Sequence, residues 1–450
     1  MQSILAQSEQ TPTELRRCLT AFDLILLGIG GIIGAGIFVI TGIAAATQAG
    51  PAIVLSYVLA GLACGFCALS YAELASSIGG CGSAYGYVYS AIGQLAAWVV
   101  GWDLLLEYGM DAATVSIGWS GYMNNTLQAF GITLPSLLIN SPFHGGIINF
   151  PAVLVIFCMA TLLSIGTKQS ATFNNLIVAI KLLVIALFIA LGLFHFNPDN
   201  WHPYLPFGAQ GIVKGASFIF FAYIGFDTIA TASDEAKDPK RDLPIGIIGS
   251  LLVCTVVYIM VAGTLTGITY YTGLNTSSPV SGALLQHGHR YAAEIVALGV
   301  IAGLTTTILA MFYGFTRVFL AMARDGFLPT FITKIHAKSA TPRLLIWTVA
   351  SIMMLTAGFV PISDIANLVN IGTLAAFIAV CGSVVILRYK EPHLPRPFKM
   401  PGGILFPLLG ALLCIYLVLS LPMITWVCFL IWTGAGLLIY FCYSRKRIKK

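Results

Sequence analysis

The chain has 450 residues, of which 58% are hydrophobic and only 9% charged, with a mean hydropathy of +0.90 and a net charge of +6. A soluble domain carries about 25% charged residues, and so few charges cannot cover a water-facing surface. The composition excludes a cytosolic enzyme, a secreted module and a disordered scaffold, and predicts an all-α integral membrane protein.

A helix needs about 20 mostly apolar residues to cross the hydrocarbon of a bilayer. That ruler predicts twelve spans, at about 21–46, 51–75, 92–122, 148–165, 173–194, 211–233, 245–268, 293–320, 344–360, 364–387, 404–421 and 423–443. The first apolar run is long enough to span and has no A-x-A exit, so no cleavable signal peptide is expected.

Span 1 contains Gly28-Ile29-Gly30-Gly31-Ile32-Ile33-Gly34-Ala35-Gly36, five glycines in nine residues. Glycine at that density weakens a helix and lets the backbone open, although it also serves close helix packing. The spacing fails the G-x-G-x-x-G dinucleotide pattern at Ile33, and no strand precedes it. In span 2, Cys64 and Cys67 read CGFC mid-helix with no His nearby. Like most of the ten cysteines they lie in an apolar run, are expected as small hydrophobes, and imply no metal site.

Span 3 places Glu107 and Asp111 four residues apart, hence on one helical face. Like charges there repel and ask for a cationic partner or a shared proton. One reading is a pocket for a Lys or Arg side chain, with Glu107 lining it and Asp111 adding selectivity; the other is structural pairing or proton carriage. Lys181 falls about eight residues into span 5, too deep for easy snorkelling. Burial disfavours its charged form, so such a group can release and retake a proton. The alternative is a permanent ion pair with Glu107 or Asp227.

Span 6 contains Phe220-Phe221-Ala222-Tyr223-Ile224-Gly225-Phe226-Asp227, a small-residue centre followed by an acid. Asp227 either contacts a substrate side chain or caps the second half-helix. Non-helical backbone at membrane depth is tolerated only where it is buried or lines a cavity. Interrupted spans in matching places of two halves point to a transport site between inverted repeats. The repeats would be 21–194 and 211–387, preceded by a segment 1–20 and followed by two further helices at 404–443 and a basic tail at 444–450. The bare amides of Ala35 and Gly36 would take an anion and the carbonyls of Ile32, Phe221 and Ile224 a cation. Ile33, Gly34 and Ala222 complete the two breaks. An α-amino acid satisfies both sets.

Placing both termini on one side puts nineteen of the 23 lysines and arginines outside the spans on that side and leaves only Arg290 on the other; Lys181, Lys214 and Arg317 fall within spans. This bias predicts cytoplasmic termini. The connectors, not a nucleic-acid patch, account for the basic charge.

At these residues the sequence resembles the amino acid–polyamine–organocation transporters, and among them bacterial relatives of the cationic amino acid transporters. The matching stretches are GIGGIIGAGIF at 28–38, SYAELA at 70–75, GSAYGYVY at 82–89, GWDLLLEYG at 101–109, FFAYIGFD at 220–227, DPKRDLPIGI at 238–247, RVFLAMARDGFLP at 317–329 and RPFKMPG at 396–402. The resemblance implies twelve transmembrane helices in a leucine-transporter-like fold, a five-plus-five inverted repeat with helices 1 and 6 broken. It also implies that a cation bridges span 1 to spans 5 and 8, a place where the Lys181 ammonium could stand in for sodium. The expected function is therefore amino-acid import across the plasma (inner) membrane, with a proton as coupling ion, sodium not expected and no cofactor. The substrate is expected to be a cationic or small neutral amino acid. An exchanger with a purely structural Lys181 is the alternative, and a membrane-embedded enzyme a remote one, since neither H-E-x-x-H nor G-x-S-x-G occurs. A small accessory subunit is left open.

Overall fold

The computed structural model describes residues 19–78, 83–165, 171–233, 236–329, 331, 332, 334 and 341–448. Most of the expected segment 1–20 falls outside these residues, as do Gly82 of the GSAY stretch, Cys18, Cys81, Arg16, Arg17, Lys168, Lys338 and the last two residues of the basic tail.

Thr20 starts the first helix with a capping box. Its side chain accepts from the Asp23 amide at 3.3 Å while Asp23 Oδ2 accepts from the Thr20 amide at 2.9 Å, satisfying two otherwise unpaired donors. Helix α1 (Ala21–Ile32) then stops at Ile33, which is extended at φ −74°, ψ 96°. Winding resumes with a wider π-type turn at Gly36–Ile40 and continues to Ala49, where Gly50 turns the chain at φ +64°.

After it come α2 (Ile53–Ile78), α3 (Ser83–Ala91), α4 (Gln94–Ala129), α5 (Phe150–Ile165) and α6 (Ala171–Leu193). Helix α7 (Gly208–Ile219) ends in one 3-10 turn, Phe220–Tyr223. Ile224 is extended, Gly225 sits at φ +117°, and only the short helix Thr228–Thr231 follows. The remaining helices are α8 (Pro239–Ile268), α9 (Pro279–Gln286), α10 (Arg290–Arg324), α11 (Arg343–Phe359), α12 (Ile362–Lys390), α13 (Leu405–Leu419) and α14 (Met423–Ile439).

Leu19 and Ala236 form an isolated parallel β-bridge. Among the described residues seven helical stretches are long and apolar enough to cross a membrane: Gly36–Ile78, Asn175–Leu193, Gly208–Ala230, Pro239–Ile268, Arg290–Arg324, Ile362–Lys390 and Met423–Ser444. Four shorter apolar helices, α1, α5, α11 and α13, stand beside them. Helix α4 is longer than most of these but carries Asp103, Glu107 and Asp111. Large apolar side chains such as Leu183, Leu412, Leu430 and Ile431 face outward, as lipid-facing surfaces require. The protein is an integral membrane protein.

Helix α1 packs against α6 and α8, α10 against α4 and α6, and α12 against α4 and α13. At the α12–α13 connector, buried Glu73 of α2 takes hydrogen bonds from Arg388 Nε (2.9 Å) and from the Met400 amide (2.8 Å), with Arg396 Nε at 3.4 Å. The SYAELA and RPFKMPG stretches thus meet in one ion-paired clamp.

Candidate functional site

The two interruptions lie against each other. A Cβ added at Gly36 would stand 2.3 Å from Ala222 Cα, and one at Gly225 would stand 2.7 Å from the Gly31 carbonyl carbon. Gly225 therefore answers two demands together: a positive φ, and backbone approach closer than any side chain permits. Ile32, Ile33, Gly34, Ala35 and Gly36 on one break and Phe221, Ala222, Ile224 and Asp227 on the other are all buried. Two surface cavities, of about 680 and 580 Å³, open elsewhere, beside Asp238–Arg241 and between α4 and the start of α10. The breaks are closed around one another.

Several carbonyls released by the first break are taken by side chains. Lys181 of α6 donates from Nζ to Gly30 O at 3.0 Å, Ile33 O at 2.9 Å and Thr307 Oγ1 of α10 at 3.1 Å. All three partners are uncharged, so the ammonium is bound by dipoles and not by a carboxylate. Gly303, one helical turn before Thr307, makes room: a Cβ there would meet Lys181 Cε at 2.7 Å. The Tyr258 hydroxyl of α8 lies 2.8 Å from both Ile32 O and Ala222 O, its one proton shared between a carbonyl of each break. Its ring lies 5.4 Å from those of both Tyr57 and Tyr223. The Phe221 carbonyl accepts from the Ile224 amide at 3.3 Å.

On the α4 side, Asp103, Glu107 and Asp111 share one buried region with Asp227. Tyr108 donates to Asp227 Oδ2 at 2.8 Å, and Glu107 has Thr373 of α12 beside it. The remaining oxygens, Glu107 Oε1, Asp227 Oδ1 and Asp103 Oδ1, have no hydrogen-bond partner. None of the four acids forms a salt bridge among the described residues. Asp227 stands at the N-cap of Thr228–Thr231, yet its side chain makes no capping hydrogen bond. Buried polar oxygens without partners are costly, and their convergence makes this region able to hold a cationic group or protons. Among the described residues no three or more His, Cys, Asp or Glu are assembled around a metal position.

The structure thus brings Lys181 to the first break and gathers Glu107 and Asp111 with Asp227 near the second. Sequence reasoning missed Tyr258, Thr307, Tyr108 and Asp103. Tyr258 carried a signal: it falls mid-span, where an interfacial aromatic belt does not account for a tyrosine.

Two apposed helix breaks inside an apolar bundle, one gripping an ammonium and the other beside unpaired acids, define a membrane transport protein. The amino acid permease family profile matches residues 19–442, and the chain belongs to that family. It is 44% identical over 448 residues to the methylthioribose transporter of Bacillus subtilis, covering 99% of this chain and 97% of that protein. It is 46% identical over 442 residues to the branched-chain amino acid permease BcaP of the same organism, covering 97% and 94%. The vacuolar cationic amino acid transporter 4 of Arabidopsis thaliana is 35% identical over 391 residues, covering 85% and 65%.

Proposed function

We propose that the protein is a proton-coupled amino-acid importer of the plasma membrane. In this reading it has twelve transmembrane helices in a leucine-transporter-like five-plus-five inverted repeat, with both termini in the cytoplasm. The substrate sits where the breaks meet, its carboxylate on the amides of Ala35 and Gly36 and its ammonium on released carbonyls. One observation carries the coupling: Lys181 Nζ holds Gly30 O, Ile33 O and Thr307 Oγ1 at 2.9–3.1 Å. A charged ammonium binds those oxygens strongly, whereas a neutral amine keeps at most two donors. Loss of the proton therefore loosens α1 from α6 and α10, and a bound sodium becomes unnecessary.

Side-chain preference is read from Glu107 and Asp227, whose unpaired oxygens suit a cationic substrate, with Asp111 buried beside them. A second reading, a neutral branched-chain substrate, is favoured by the 46% identity to a permease of that name; the acids then hold protons among themselves.

Purified protein in amino-acid-free vesicles under an inward proton gradient tests the coupling. The wild type should accumulate substrate against its concentration gradient. Lys181→Met should abolish that accumulation while leaving one-for-one exchange measurable. Uptake still driven by the pH gradient in Lys181→Met would overturn the reading, and wild-type transport that requires internal substrate would favour an exchanger.

A further inference from the structure

Three histidines that the transport site does not use meet beside the ends of α6 and α9 and the start of α10. His195 follows α6, His287 follows α9, and His289 is the N-cap residue of α10. The ring centroid of His195 lies 4.7 Å from that of His289 and 5.1 Å from that of His287. The sequence brings together residues 92 and 94 positions apart, so the cluster is a product of the fold.

The hydrogen bonds fix the chemistry of two rings. His195 Nδ1 lies 3.2 Å from Leu191 O, and a carbonyl can only accept, so Nδ1 carries the proton and Nε2 keeps its lone pair. His287 Nε2 lies 2.8 Å from Ile268 O, which by the same logic leaves its Nδ1 lone pair free. Each ring is oriented through its other nitrogen by a backbone carbonyl, the outer-shell arrangement typical of metal-ligating histidines. His289 Nε2 stands 3.4 Å from His195 Nε2. That is long for an N–H···N hydrogen bond, yet two nitrogens each about 2.0–2.1 Å from a tetrahedral zinc are about 3.4 Å apart. Arg290, next in the chain to His289, is turned away, onto Glu294 Oε1 at 3.1 Å and Ala129 O at 2.9 Å.

We propose that His195 Nε2 and His289 Nε2 form a binding site for one divalent transition-metal ion of the zinc or nickel type. Water fills the remaining positions, and His287 stays on Ile268 O. Imidazole donors select these metals over calcium or magnesium, which prefer oxygen. The site has a mechanical meaning because of what it joins. The segment leading into α9 lies on the second half of helix 1, where a Cβ at Gly42 would meet Leu274 O and Pro279 Cβ at 2.6 Å. It also lies on α4, where a Cβ at Gly121 would meet Ser277 Cβ at 2.5 Å. A metal on His195 and His289 staples the α9–α10 junction to the end of α6, and His287 already ties it to the end of α8. Bound metal holds this cover shut over the outer end of helix 1.

Tag-free protein in detergent, titrated with zinc chloride in a calorimeter, tests the site. The expected result is one Zn²⁺ per chain, with affinity falling about tenfold or more in His195→Ala and in His289→Gln. His202→Ala, a connector histidine outside the cluster, should bind as the wild type does. Cobalt substitution should give the intense visible bands of a tetrahedral nitrogen site. Metal-free melting temperatures of all variants separate a lost ligand from a lost fold. Absence of saturable zinc binding in the wild type, or equal affinity in His195→Ala and His289→Gln variants that melt normally, would overturn the proposal.

Discussion

Gly225 shows how a single residue sets the site. Its φ of +117° suits glycine alone, and the space a Cβ would need is occupied 2.7 Å away by the Gly31 carbonyl carbon. Gly225→Ala should destabilise the protein by about 1–3 kcal/mol through backbone strain, and further by pushing the two breaks apart. Thermal unfolding in detergent together with uptake in vesicles checks this; unchanged melting would show that the breaks tolerate separation. At this scale the sequence is legible wherever a residue breaks a rule of the bilayer. Lys181, Glu107, Asp111 and Asp227 stand out because a charge at that depth is rare and expensive. Thr307 does not, because a hydroxyl in a long apolar helix barely alters its hydropathy, and Tyr258 stands out only by its mid-span position. Their roles arise only from the carbonyls they face, Ile33 O and Ile32 O, and those partners lie 274 and 226 residues away in the chain.

At the scale of elements, a ruler of apolar residues measures the hydrocarbon thickness and not the helix. Helix α4 runs to Ala129 where the apolar pattern ends near 122, because Asn124, Asn125 and Gln128 continue the winding beyond the apolar stretch. Helix α8 begins at Pro239, whose missing amide costs nothing in a first turn, several residues before the expected 245. What composition does not give is how connectors latch. Tyr85 of α3 donates to Asp325 Oδ2 at 2.6 Å, just past α10, with Phe327 stacked edge-on against the Tyr85 ring. Burial pushes the Asp325 carboxyl above its ordinary value of 3.8, against the lowering effects of the Tyr85 hydroxyl and the Arg324 charge. The folded state therefore binds this proton more tightly than the unfolded chain does. Stability from Asp325 is fully present below 3.8 and is lost as pH rises through the higher folded value. Asp325→Asn, which cannot ionise, should flatten that part of the melting-temperature profile. Tyr85→Phe removes a lowering hydrogen bond and should carry the loss to higher pH. Identical pH profiles for the wild type and Asp325→Asn would show that the latch contributes nothing.

For the whole molecule, ligand recognition becomes a measurable stability. A compound that binds only the folded state stabilises it by about 2.7 kcal/mol at a hundred times its dissociation constant, whatever part of the bundle it touches. In the proposed reading the breaks offer backbone amides on one side and carbonyls on the other, so the best ligand carries a carboxylate and an ammonium on one carbon. The relatives divide on this point, one being named for methylthioribose, which has neither group, and another for branched-chain amino acids. A melting screen of the twenty amino acids and methylthioribose, each at the same concentration and at two pH values, therefore separates recognition of the zwitterion from recognition of a sugar. We expect at least one amino acid to raise the melting midpoint, its amide analogue to lose the effect, and methylthioribose to leave the midpoint unmoved. If that ligand is arginine or lysine, Glu107→Ala should erase its shift and spare any shift from alanine. If it is leucine, isoleucine or valine, Glu107→Ala should leave the shift in place, and the acids then serve as proton holders beside a neutral substrate. A shift with methylthioribose and none with any amino acid would mean that the two bare backbone sets do not select a zwitterion, and the site would have to be rebuilt around hydroxyl groups and the side chains of Tyr57, Tyr223 and Tyr258.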